Sequence, residues 1–190
     1  AAVECRAQPR LLVNPEFVAA HANTSEKLLM LVMHELHHVL LGHTTLFPRA
    51  TKVQNFVFDA VINGLVCRMF PRADFTSFFT DYYREDSFPH CLLRPAPGWP
   101  EKPVTPEGVR ALASPLRQRV KDVHIALYSS AGATYQEVFD ALPKLLDEGV
   151  IAGIPLLGGH EGDGASASQL EHRSPVLFEA VRGIVEKWPQ

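Results

Sequence analysis

The sequence has little with which to build a disulfide scaffold. Its 190 residues include only three cysteines, Cys5, Cys67 and Cys91. That odd number, with no C-x-x-C pair, fits a reducing compartment, so a cytoplasmic location is expected. No apolar run reaches the ~18–20 residues that a membrane span requires. Nothing at the start has the basic-then-apolar pattern of a signal peptide. Positive charge is also scarce: Lys and Arg number 18 against 21 Asp and Glu, for a net charge of −3. With a pI near 6.3, this balance argues against a nucleic-acid or anionic-membrane partner. The densest basic group, Arg117, Arg119 and Lys121, reads as a solvated helix face. There are no internal repeats. What remains is a chain of ordinary globular composition, 46% hydrophobic and 21% charged, read as a single domain over 1–190.

Against that background the segment His34-Glu35-Leu36-His37-His38 stands out. It spells His-Glu-x-x-His between the apolar runs Leu28–Met33 and Val39–Leu41. Residues four apart share a helix face, one turn above each other. His34 and His38 can therefore hold one Zn²⁺ through ring nitrogens at roughly 2.0–2.1 Å. Glu35, about 100° round the helix, can reach a water on that metal as a general base. The apolar flanks predict a helix buried all round, where three ionisable groups in five residues need a reason to be. His37, about 60° from His34 on the helix wheel, reads as a satisfied neighbour.

The surrounding sequence predicts an α+β fold, mainly helical with a small sheet. Arg10–Asn14 reads as a strand closed by Pro15. The motif helix is expected over about 24–41, with Asn23 as N-cap, Glu26 in capping-box position and Gly42 as the left-handed stop. A second helix, Val53–Phe70, follows from apolar residues at helical spacing, and Pro71 ends it. The core of the site thus spans about 10–70. The stretch 71–105, rich in proline and aromatics, reads as a long ordered loop that wraps the domain.

The remainder, 106–190, reads as largely helical. A helical region opens at Thr105, breaks near Pro115 and resumes over 116–128. A helix led by Thr134 and Glu137 is expected to run to Glu148 with a kink at Pro143. Val150–Leu156 reads as a strand and 176–187 as a last helix. Between these two, His160, Glu161 and Asp163 lie in a Gly-rich, solvated loop.

A catalytic zinc takes three protein ligands and an open water position, so a third ligand is needed. Asp59 is one candidate. It lies 21 residues beyond His38 in the sequence, in the apolar setting Phe56–Ile62, where an unpaired charge would be unusual. Asn63, one turn on, can accept a hydrogen bond from a ligand histidine and fix its tautomer. His43 is the other candidate. On a continued helix it would point about 180° from His34, so it serves only if Gly42 turns the chain back.

Three segments together carry a resemblance: Asn14-Pro15-Glu16-Phe17, HELHHVLLGH over 34–43 and QNFVFDAVIN over 54–63. They resemble a bacterial metallopeptidase family, of HExxHxxxGH and AxDxxIN pattern, whose members often carry a von Willebrand factor A-like domain. The resemblance covers residues 10–70 and extends weakly over Tyr135–Phe139. It implies a zincin-like fold, one Zn²⁺ held by His34, His38 and Asp59, Glu35 as catalytic base, and a protein or peptide substrate. The chain departs from the family in its extra imidazole, His37, and in having no segment of von Willebrand length. The oxyanion donor such a peptidase needs has four candidates: Tyr82, Tyr83, His90 and His124.

Two other readings start from the same motif. HELHHVLLGH also resembles the three-histidine motif of bacterial rRNA-maturation endoribonucleases, which would make His43 the third ligand. Here, however, Glu35 replaces that family's glycine, and the last histidine comes one residue early. Alternatively, a four-ligand shell of His34, His38, His43 and Asp59 would make a non-catalytic module, its helices stapled by zinc within a larger protein assembly.

Overall fold

The computed structural model describes residues 2–4, 10–43, 50–141 and 153–157. Two short strands, β1 (Ala2–Glu4) and β2 (Arg10–Leu12), pair antiparallel with Val3 opposite Leu11. The strand expected over 10–14 is thus shorter, because Asn14 turns to cap a helix. Its Oδ1 accepts from Glu16 N at 2.9 Å, and Pro15 opens α1 (Pro15–His21). Proline suits a first helical position, where its missing N–H would have no partner anyway.

Helix α2 (Ser25–Leu40) carries the motif. Thr24 caps it, rather than Asn23, with Oγ1 accepting from Lys27 N at 3.2 Å. Gly42 ends it at φ 72°, a conformation that glycine adopts without steric cost. The helix is not buried all round. Met30, Leu31 and Val39 face the core, but Leu28, Leu29 and Leu36 are 38–39% exposed. Helix α3 (Lys52–Met69) starts at a capping box in which Thr51 Oγ1 accepts from Gln54 N and Gln54 Oε1 accepts from Thr51 N.

The stretch 71–105 is not simply a loop. It contains helix α4 (Ala73–Tyr82) and a 3₁₀ turn (His90–Leu93). Phe75, Phe78, Phe79 and Tyr82 fall at i, i+3, i+4 and i+7, so one face of α4 is aromatic. Phe78 and Phe79 are fully buried. That packing forms a helix in a segment whose proline content suggested none. A surface ion pair, Lys27 Nζ to Asp81 Oδ2 at 2.7 Å, joins α2 to α4.

Beyond it come α5 (Glu107–Arg110), α6 (Ser114–Tyr128) and α7 (Tyr135–Ala141). The break expected near Pro115 falls at 111–113, and Pro115 itself sits in the first turn of α6. Residues 153–157 are not a strand. The remainder of the helix expected up to Glu148, the loop with His160, Glu161 and Asp163, and the helix expected over 176–187 lie outside the described residues, as does Cys5.

The described part is therefore mainly helical with one two-stranded sheet, and α3 is its axis. That helix packs against α2, α4, α6, α7 and the 3₁₀ turn. Gly64 allows the close approach of α6, since a Cβ there would lie 2.5 Å from the Leu127 carbonyl oxygen. Cys67 and Cys91 are buried free thiols, and burial pushes the Cys91 thiol up to about 12. No helix among the described residues is long and apolar enough to cross a membrane.

Candidate metal centre

The two central helices together build a buried polar cluster. From α2, one turn apart, come His34 and His38; from α3 comes Asp59. The three are 0%, 2% and 0% exposed. His34 Nε2 and His38 Nε2 are 3.1 Å apart. Asp59 Oδ1 lies 3.2 Å from His38 Nε2 and 3.7 Å from His34 Nε2.

The residues around this triangle determine what its atoms present. Asn63 Nδ2 donates to the Leu93 carbonyl at 2.9 Å, which orients the amide. Its Oδ1, 2.8 Å from His34 Nδ1, must then accept, so His34 Nδ1 carries the hydrogen. In neutral His34 the lone pair is left on Nε2, directed at the other two corners. On the other side the backbone N–H of Leu157 donates to Asp59 Oδ2 at 3.1 Å, and Oδ1 faces the histidines. His38 Nδ1 lies 3.2 Å from His43 Nδ1. The His43 ring is itself stacked on Phe58 at 3.9 Å.

Imidazole nitrogens and a carboxylate oxygen that meet at one buried point are held together by a shared proton or by a metal cation between them. The dimensions fit such an ion. Four ligands placed tetrahedrally at roughly 2.05 Å from zinc are about 3.3 Å from each other, and the three edges here run from 3.1 to 3.7 Å. This buried His34–His38–Asp59 group can hold a metal ion. Among the described residues no fourth His, Cys, Asp or Glu joins it.

The other candidates fall into place around that group. His43 meets the far nitrogen of His38, so it stands behind that ring and not in the triangle. Glu35 is 2% exposed, next in sequence to His34. His37 is turned back on its own helix, Nδ1 2.6 Å from the Met33 carbonyl, and burial lowers its pKa despite that bond.

Tyr82 and Tyr83 close α4. Burial first, then the Asp59 charge, raises both phenols above their usual range, Tyr83 well above. His90 Nδ1 lies 3.6 Å from Glu85 Oε2. His124 Nε2 bonds the Arg94 carbonyl at 2.9 Å, on the α6 side of α3. Neither histidine joins the triangle.

Two contributions escaped sequence reasoning. The Leu157 N–H reaches Asp59 from 98 residues away, and a backbone donor leaves no signal in a side-chain pattern. His43, considered only as a ligand, serves His38 instead. Its spacing five residues on, just past Gly42, was the available clue. Comparison with protein-family models, with curated proteins and with solved structures finds no match.

Proposed function

We propose that this chain is a zinc-dependent peptidase of the His-Glu-x-x-His type, with a zincin-like arrangement of α2 and α3. The observation that carries the proposal is the His34–His38–Asp59 triangle of tetrahedral edge length, with Glu35 beside it on the same helix. Among the described residues the site offers three protein ligands, the number found in catalytic zinc sites, where water takes the fourth position, whereas structural sites use four. When bound, the metal supplies Lewis-acid chemistry, acidifying water and polarising a carbonyl.

The chain's own groups do the rest. His34 and His38 bind through Nε2, and Asp59 binds through Oδ1. Asn63 and Leu157 N–H hold two of those ligands in orientation, which in other zinc sites is worth about 10–100-fold in metal affinity. The Glu35 carboxylate accepts a proton from water as the peptide carbonyl is attacked, and returns it to the leaving amine nitrogen. The substrate class is a peptide or protein.

The test is metal content and hydrolysis measured on the same preparations. About one zinc per chain is expected in both the parent and Glu35→Gln. Hydrolysis of a casein or peptide-library substrate is expected to fall roughly 10²–10⁴-fold in that variant, the usual contribution of a general base. Full hydrolysis by Glu35→Gln with zinc retained would overturn the mechanism.

The burial of all three ligands favours a second reading, in which the metal staples α2 to α3 without catalysis. That reading expects zinc to raise the melting temperature of the parent and of Glu35→Gln equally, with no hydrolysis by either.

A further inference from the structure

Helix α3 has a second polar feature, on the face opposite the metal centre. Arg68 is nine residues beyond Asp59, which at about 100° and 1.5 Å per residue places it roughly 180° round and about 13 Å along the helix. It opens onto a cleft of about 630 Å³, within the roughly 300–1,000 Å³ typical of small-molecule sites. Its walls include Trp99, Pro100, His124, Ile125, Tyr128 and Ser130.

The guanidinium is held in place yet has bonding capacity to spare. Arg68 Nη1 donates to the Leu127 carbonyl, its only hydrogen bond among the described residues. A guanidinium has five N–H donors. No carboxylate among the described residues pairs with it, and its half-buried position disfavours the charge. Gly132, at φ 71°, lets the backbone pass over the group, since a Cβ there would meet Nη2 at 2.6 Å. One side of the guanidinium is therefore covered by main chain and the other faces the cleft.

The apolar wall is equally fixed. Trp99 Nε1 donates to the Tyr128 carbonyl at 3.0 Å. The two rings meet nearly edge to face, with centroids 6.0 Å apart and planes at 72°. Arginine matches a carboxylate through two parallel N–H bonds, and aromatic walls accept a flat apolar group. We infer that this cleft binds a small carboxylate bearing a flat apolar group, the acid on Arg68 and the ring against Trp99 and Tyr128. Either a free aromatic acid or the C-terminal residue of a peptide offers that chemistry.

The full-length chain would be titrated by NMR with phenylacetate, N-acetylphenylalanine and the neutral amide of each, following the Trp99 indole and Gly132 amide signals. Both acids are expected to shift these signals saturably below about 10 mM, with each amide at least about tenfold weaker, the cost of losing a charged hydrogen-bond pair. Arg68→Met should weaken the acids by a similar factor. Ile125→Trp, which fills the cleft from an exposed position and keeps Arg68, should do the same in a chain whose melting temperature is unchanged. Tighter binding of N-acetylphenylalanine would identify a peptide C-terminus as the ligand, and tighter binding of phenylacetate a free acid. Equal binding of acids and amides, parent-like binding by both variants, or no saturable shift would overturn the inference.

Discussion

The two halves of α3 solve the problem of buried polar groups in opposite ways. In the half that faces α2, polar atoms converge: two imidazole nitrogens and a carboxylate oxygen lie within 3.1–3.7 Å of a neighbour. In the half that faces α6 they disperse. Arg68 bonds the Leu127 carbonyl, Trp99 the Tyr128 carbonyl and His124 the Arg94 carbonyl. Dispersal onto main-chain oxygens gives each group a separate partner, and only the Arg68 guanidinium keeps donors to spare. Convergence instead gathers potential ligand atoms at one shared point, where a single cation can contact all of them. A cluster of that kind is a reason to expect a cation, whereas buried polar residues as such are not.

Breaking the convergent half should have the largest effect. Asp59→Ala removes one corner of the triangle and leaves the Leu157 N–H buried without its acceptor. Metal content by elemental analysis is expected to drop from about one per chain to none. The metal-free variant should also lose about 1–3 kcal/mol of stability in urea titration, the penalty for a stranded buried donor. Asn63→Ala keeps the triangle but frees the His34 ring. There a roughly 10–100-fold loss of zinc affinity is expected in a chelator competition, and an unchanged affinity would show that Asn63 does not orient the ligand.

The contact between the halves is the next target. Gly64→Ala would push a methyl group against the Leu127 carbonyl, 2.5 Å away. A destabilisation of about 1–3 kcal/mol, the usual cost of overpacking, should appear as a lower melting temperature. Because Gly64 adjoins Asn63, a simultaneous loss of metal affinity would show that α6 sets the position of both halves. A loss of stability alone would show that they are independent.

The smallest effect belongs to the dispersed half. Burial lowers the His124 pKa, opposed by its bond to the Arg94 carbonyl. The unfolded chain then binds a proton at higher pH than the folded one. The contribution of neutral His124 to stability is therefore whole above the unfolded value, about 6.5, and lost as pH falls from there toward the folded pKa. His124→Gln, which keeps a donor for that carbonyl, should flatten the decline between pH 7 and 5. The parent slope contains at most about 1.4 kcal/mol per pH unit from this one proton. An identical slope in the variant would place the proton elsewhere.

The legibility of the chain follows the same division. Within α2 and α3 the helical repeat alone puts His34 with His38 and Asp59 with Asn63, and the cap residues mark the ends to within a residue or so. Helix α4 was hidden because prolines on either side suggested a loop, while its evidence was the spacing of Phe75, Phe78, Phe79 and Tyr82. At the candidate centre, the sequence favoured Asp59 over His43 as third ligand, since His43 needed Gly42 to turn the chain back, but spacing could not show which side chain faces the histidines.

What the sequence by itself determined is therefore local: which residues share a face, where helices begin, and that an ionisable motif interrupts an apolar helix. These follow from a repeat of 3.6 residues and from the few side chains able to cap a helix. Only the tertiary structure decided that Asp59 faces the histidines, that His43 stands behind His38, and that Leu157 offers its N–H. Those atoms are brought together by the packing of α2 on α3 and by a segment 98 residues from Asp59. Contacts across such separations depend on how helices cross, and spacing along the chain does not encode that.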